Sequence, residues 1–196
     1  MLRIPGDNAG TIHLYEGLVI GAESSGTPDL ASRFARWSES LSGGAPGVLI
    51  QDWIMREAIA DAALAMLPRA SRSARFTDVH LPAPDSVAMP LTEMLAEVDR
   101  RAEVLRQLPA ALTADSVVAR NPQLRPREVH ISSGQWTLLM RMNQPVTPRT
   151  LAMGVGTSVF TTTLQVFRLI TMEMVAVVSG PLPDQPAISF TRATAG

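Results

Sequence analysis

The chain opens with alternating apolar and polar positions and then changes period. Leu2–Ile4, Thr11–Tyr15 and Leu18–Glu23 read as short strands, with Glu16-Gly17 as a tight reversal between the second and third. Leu30, Phe34, Trp37 and Leu41 then fall on one helical stripe, with Thr27 as its cap, Pro28 and Asp29 in its first turn and Gly43-Gly44 as its stop. A second helix is predicted after Asp52 to Leu67. Ile54, Ala58, Ala62 and Ala65 would face inward and Pro68 would end it. Arg75–Leu81 alternates again, with Phe76, Val79 and Leu81 as strand residues. Strands flanking two helices make this region α+β.

Pro82-Ala83-Pro84-Asp85 breaks the pattern. Leu91, Leu95, Val98, Ala102 and Leu105 follow in a heptad rhythm on a charged helix that Pro109 stops. Two heptads are too few for a coiled coil, so a connector helix packed on a neighbouring domain is expected. Beyond a loop at Asn121–Pro126, Ser132 or Ser133 can cap a helix over Gln135–Met142 with Trp136, Leu139 and Met140 on its apolar face. Thr147-Pro148 caps a short second helix through Met153, Gly154-Val155-Gly156 turns the chain, and Thr157 or Ser158 opens a third helix to about Met172. Met174–Val178 then reads as a strand. Three helices with a glycine turn between the last two, followed by a strand, predict a helix-turn-helix with a possible wing.

Composition narrows the chemistry. The chain has 196 residues, 46% apolar and 18% charged, enough to bury a core. It has no cysteine, which removes disulfides, cysteine-ligated metals and thiol nucleophiles. All 17 basic residues are arginine, which removes the P-loop lysine, Schiff-base lysines and Ser-x-x-Lys catalysts. Arginine-only, alanine-rich usage points to a GC-rich bacterial genome of actinobacterial kind. Net charge is −1 overall, but −3 over residues 1–88 and +3 over residues 121–180, as expected of two domains that attract each other or separate partners. MLRIPGDNAG lacks an apolar run, so no signal peptide is expected. The most apolar stretch, Leu164 to Val178, is interrupted by Arg168 and Glu173 and is too short to span a bilayer. A soluble cytoplasmic protein is expected.

The segment TPRTLAMGVGTSVFTTTLQVFRLITMEMVAV resembles winged-helix regulators. The resemblance implies that Leu151 and Ala152 pack the second helix, Val155-Gly156 form the turn and Ser158 opens the recognition helix. Leu169, Met172, Met174 and Val175 would match the closing hydrophobic pattern. The string AGTIHLYEGLVIGAES is similar to the hairpin of the PATAN (PatA N-terminal) family of bacterial signalling proteins, matching it at Gly10, Ile12, Leu14, Gly17, Val19 and Ala22. PATAN domains are linked to protein–protein interaction in signal transduction, often beside receiver or helix-turn-helix domains. That family carries a strand and helix before the equivalent of Leu2. Here the true start lies upstream, the domain is trimmed, or another element fills that sheet edge. An open edge would invite dimerisation.

The expected organisation is therefore a PATAN-like α+β domain over 1–88, a connector helix and linker over 89–120, a winged-helix-like domain over 121–180 and a flexible tail over 181–196, where Ile188-Ser189-Phe190 could add a short edge strand. With Thr162, Val166 and Leu169 facing the core, the third C-terminal helix turns Phe160, Leu164 and Phe167 outward, where a DNA reader would carry hydrogen-bonding groups. These three, with Leu91, Leu95 and Val98 on the connector, are the candidate protein-interface residues. The DNA-binding alternative would use Arg149, Thr157, Ser158, Gln165 and Arg168. His13, His80 and His130 share no metal-ligand spacing. Glu57 and Asp61, one helical turn apart, read as solvated surface, and Gly154-Val155-Gly156 follows a helix and so lacks a phosphate-cradle context. No catalytic, metal or cofactor residues are expected. The methionines at 140, 142, 153, 172 and 174 read mainly as core. The expectation is a non-enzymatic regulatory adaptor with a protein partner, a second copy of itself among the candidates, or alternatively a DNA-binding regulator.

Overall fold

The computed structural model describes residues 1–40, 47–69, 74–78, 88–123 and 128–178. The chain is mixed α+β, with six α-helices and two antiparallel sheets among these residues. Val79, Leu81, the Pro82–Asp85 break, Gly43-Gly44, His80 and the 181–196 tail lie outside them.

The first unit is built on strands β1 (Leu2–Ile4), β2 (Gly10–Tyr15) and β3 (Leu18–Ser24). β2 and β3 form the expected hairpin. Glu16 and Gly17 take φ of 47° and 81°, the left-handed pair that matches the twist of a two-residue turn. Ile12, Val19 and Ala22 are buried on one face; Val19 and Ala22 lie three positions apart, so the period-2 alternation of β3 is interrupted where its register with β2 shifts at His13/Leu14. β4 (Arg75–Phe76) pairs with β1, so the edge beside Leu2 is filled from downstream in the chain. β5 (Met89–Pro90) flanks β3, giving the order β4-β1-β2-β3-β5.

Helix α1 (Leu30–Ser40) starts at Leu30, and its cap is Asp29, whose carboxylate accepts the Ser32 N–H at 2.7 Å. Thr27 does not cap it; its hydroxyl donates to the Ser24 carbonyl. Leu30, Phe34 and Trp37 of the apolar stripe are only half-buried, Leu41 lies outside the described residues, and the most buried described side chain of α1 is Arg33. Helix α2 (Val48–Met66) begins four residues before Asp52 and continues into a 3₁₀ turn at Leu67–Arg69. Its second half is apolar nearly all round, which fits a helix covered on several sides. Ile59, Ala62, Ala63 and Met66 pack on the sheet.

Helix α3 (Leu91–Arg106) lies on α2 and sends Met94 and Val98 into the first core. Its buried face is Met94, Val98 and Arg101; Leu91 and Leu95 of the expected heptad are exposed. The inner stripe is rotated because Arg101, held by Glu97 of its own helix, turns inward to pair with Glu57 of α2.

The second unit holds α4 (Ser133–Arg141), α5 (Pro148–Val155), α6 (Val159–Thr171), and strands β6 (Val118–Arg120) and β7 (Val175–Val177). Ser132 and Gln135 form a reciprocal capping box at α4. Thr147 and Ser158 cap α5 and α6. Gly156 ends α5 at φ 70°, a conformation that a side chain would strain. β6 leaves no mark in the sequence pattern: three residues show too little alternation, and only pairing with β7 and Val146 defines it. Val118, Leu138, Leu139, Met142, Leu151, Val166, Leu169 and Val175 form a second core that shares no residue with the first. On α4 the apolar face is Leu138 and Leu139; Trp136 and Met140 point outward. Of the methionines, Met142 is buried, Met172 and Met174 are half-buried, and Met140 and Met153 are exposed.

Candidate functional site

The two units meet around one buried carboxylate. Asp61 sits in the run Ala58-Ile59-Ala60-Asp61-Ala62-Ala63 of α2, where every residue is buried, and is itself 1% exposed. An unpaired charge there would be prohibitively costly, so its partners define the site. Arg33 of α1 donates through Nη2 to Oδ2 at 2.6 Å. The other donors come from the start of α6: the Ser158 hydroxyl to Oδ1 at 2.9 Å, the Val159 N–H to Oδ2 at 3.0 Å and the Phe160 N–H to Oδ1 at 3.2 Å. A helix N-terminus carries about half a positive charge and unsatisfied N–H groups, so the carboxylate of one unit completes the helix of the other. Glu57 and Asp61 are thus not the solvated pair expected of their spacing.

A second tie lies beside the first. Arg149 of α5 donates to the Gly26 carbonyl at 2.7 Å and forks onto Asp115 at 2.6 and 2.9 Å. The Asp115 hydrogen bond holds the Arg149 pKa above its ordinary value. At Gly156 a Cβ atom would fall 2.5 Å from the Ser32 carbonyl oxygen, so this glycine also permits the close approach of α5 to α1.

Phe160 rests under two arginines of α3, with Cζ of Arg101 and Arg100 at 5.0 and 6.0 Å from its ring centroid. Arg101 is 3% exposed; it pairs with Glu57, and its Nε donates to Glu97 at 2.6 Å, while its Nη1 has no hydrogen-bond partner among the described residues. The Arg100 hydrogen bond, helped by Arg101 and opposed by burial, lowers the Glu97 pKa from 4.5 to about 2. A cavity of about 300 Å³ opens at the joint, walled by Leu64, Ala65, Ala102, Leu105, Leu112 and Phe160, with Arg149 and Asp115 at its polar side.

The remaining candidates are scattered. Leu164 and Phe167 are half-buried, and Phe167 lies against the second core. Val98 belongs to the first core, whereas Leu91 and Leu95 face outward on α3. Ser158 is buried on Asp61, Thr157 bonds Thr162 at 3.0 Å, and Gln165 is half-buried, its Oε1 without a partner among the described residues. Arg168 is exposed at the far end of α6. The structure therefore brings Ser158, Phe160 and Arg149 to one joint. Sequence reasoning missed Asp61, Arg33 and Arg101. The available signal was an acid inside an apolar, alanine-rich helical run, which demands a buried cation or donor set.

Among the described residues no group of three or more His, Asp or Glu is placed to hold a metal. His13 contacts the Thr11 hydroxyl and His130 faces Glu128 on the surface. No described helix is long and apolar enough to cross a membrane. Comparison with protein-family models, curated proteins and solved structures finds no match to the chain.

Proposed function

We propose that the chain is a non-enzymatic regulatory adaptor that acts through protein–protein contacts, with a PATAN-like first unit and a winged-helix-like second unit. The observation that carries this reading is on α4. Trp136 and Met140, one turn apart, are 56% and 50% exposed on a helix whose opposite side is fully packed. Large apolar side chains paired on one helix face mark interaction surfaces, and tryptophan is enriched at their centres. The first turn of α6, which a winged-helix DNA reader would offer to a duplex, is bonded to Asp61 instead. This favours protein over nucleic acid as partner.

The double variant Trp136→Ser/Met140→Ser tests the reading. It is expected to keep the wild-type melting temperature and to lose at least about tenfold in retention of a co-purifying protein from its native host, as loss of a central aromatic anchor does. Unchanged retention overturns the α4 assignment. Fluorescence polarisation with labelled duplex DNA is expected to show no steeply salt-dependent binding; such binding would replace the adaptor with a DNA-binding regulator.

A further inference from the structure

We propose that the joint between the two units is a latch: the Asp61 carboxylate holds the start of α6 closed, and its release lets the units part while both cores stay folded. Three observations carry this. The cores share no residue, so separation breaks neither. Hydrogen bonds carry much of the joint, from the first turn of α6 to Asp61 and from Arg149 to the Gly26 carbonyl. Water can take over such bonds, unlike buried apolar area. The joint is also incompletely filled, with a cavity of about 300 Å³ between Leu64, Ala102, Leu112 and Phe160. Opening uncovers Phe160 and gives α6 a free N-terminal turn, so the latch decides whether that surface is offered. Such motion lies within the chain and is independent of the identity of any partner.

The absence of cysteine makes the motion directly measurable, because single thiols can be placed without background. Thr163 is 1% exposed and lines the joint cavity; Val166 is 0% exposed in the second core, about one helical turn away. Thiol labelling by a maleimide under native conditions is expected to be at least about tenfold faster for Thr163→Cys than for Val166→Cys, as sub-global opening precedes global unfolding. Adding Asp61→Asn is expected to speed Thr163→Cys labelling at least about tenfold further and to leave Val166→Cys nearly unchanged. If Asp61→Asn fails to fold, Arg149→Gln, which removes the tie to the Gly26 carbonyl across the joint, is expected to act in the same direction more weakly. Equal rates for the two cysteines in the wild-type background overturn the latch, as does equal acceleration of both by Asp61→Asn or Arg149→Gln.

Discussion

At the scale of single residues, charge placement against burial decides most of the local structure. Arg33, Asp61 and Arg101 are all at most 4% exposed, and each is tied by hydrogen bonds to a neighbouring helix. Their pairing is not readable along the chain, because a charge looks solvated until tertiary contacts show otherwise. Glu97 yields a pH prediction. Its folded pKa of about 2 lies below the ordinary 4.5, so its ion pairs stabilise fully above about pH 4.5, and that contribution is lost as pH falls toward about 2. Thermal melts at about pH 5 and about pH 2.5 are expected to show a smaller acid-induced drop in Glu97→Gln than in the wild type. Identical drops would mean that the Arg100 and Arg101 contacts add nothing to folding.

At the scale of elements, signals carried within one stretch of chain are legible and those set by neighbours are not. The β2–β3 hairpin, the capping serines of α4 and α6, the Thr147-Pro148 start of α5 and the Gly156 turn all follow from residues a few positions apart. Which face of α3 or α4 turns inward does not follow in this way, since Leu95 and Met140 are as apolar as the Met94 and Leu138 that the core took. β4 falls within the alternating Arg75–Leu81 stretch, whereas β5 and β6, of two and three residues, exist only through their partners. Local capping has a measurable weight. Ser132→Ala removes the reciprocal box at α4 and is expected to cost about 1 kcal/mol in urea denaturation. A change under a few tenths of that would show that packing of Leu138 and Leu139 alone holds the helix start.

At the scale of the whole molecule, the opposite charge balance of the two halves is visible from composition, but the joint is not. It depends on α2 meeting α6, 97 to 99 positions apart in sequence. Separate cores predict separable stability. Leu169→Ala, at a fully buried position of the second core, is expected to cost about 3 kcal/mol there. Hydrogen exchange is expected to accelerate at amides of α4 to β7 and to leave those of β2, β3 and α2 nearly as protected as before. Uniform acceleration would show one cooperative block instead. The margins of the larger sheet carry a different consequence. On one side, the two-residue strand β4 presents Phe76, 76% exposed; on the other, β5 ends in Pro90, which has no N–H to donate and leads straight into α3. Among the described residues, a further strand can therefore join this sheet along β4 and not along β5.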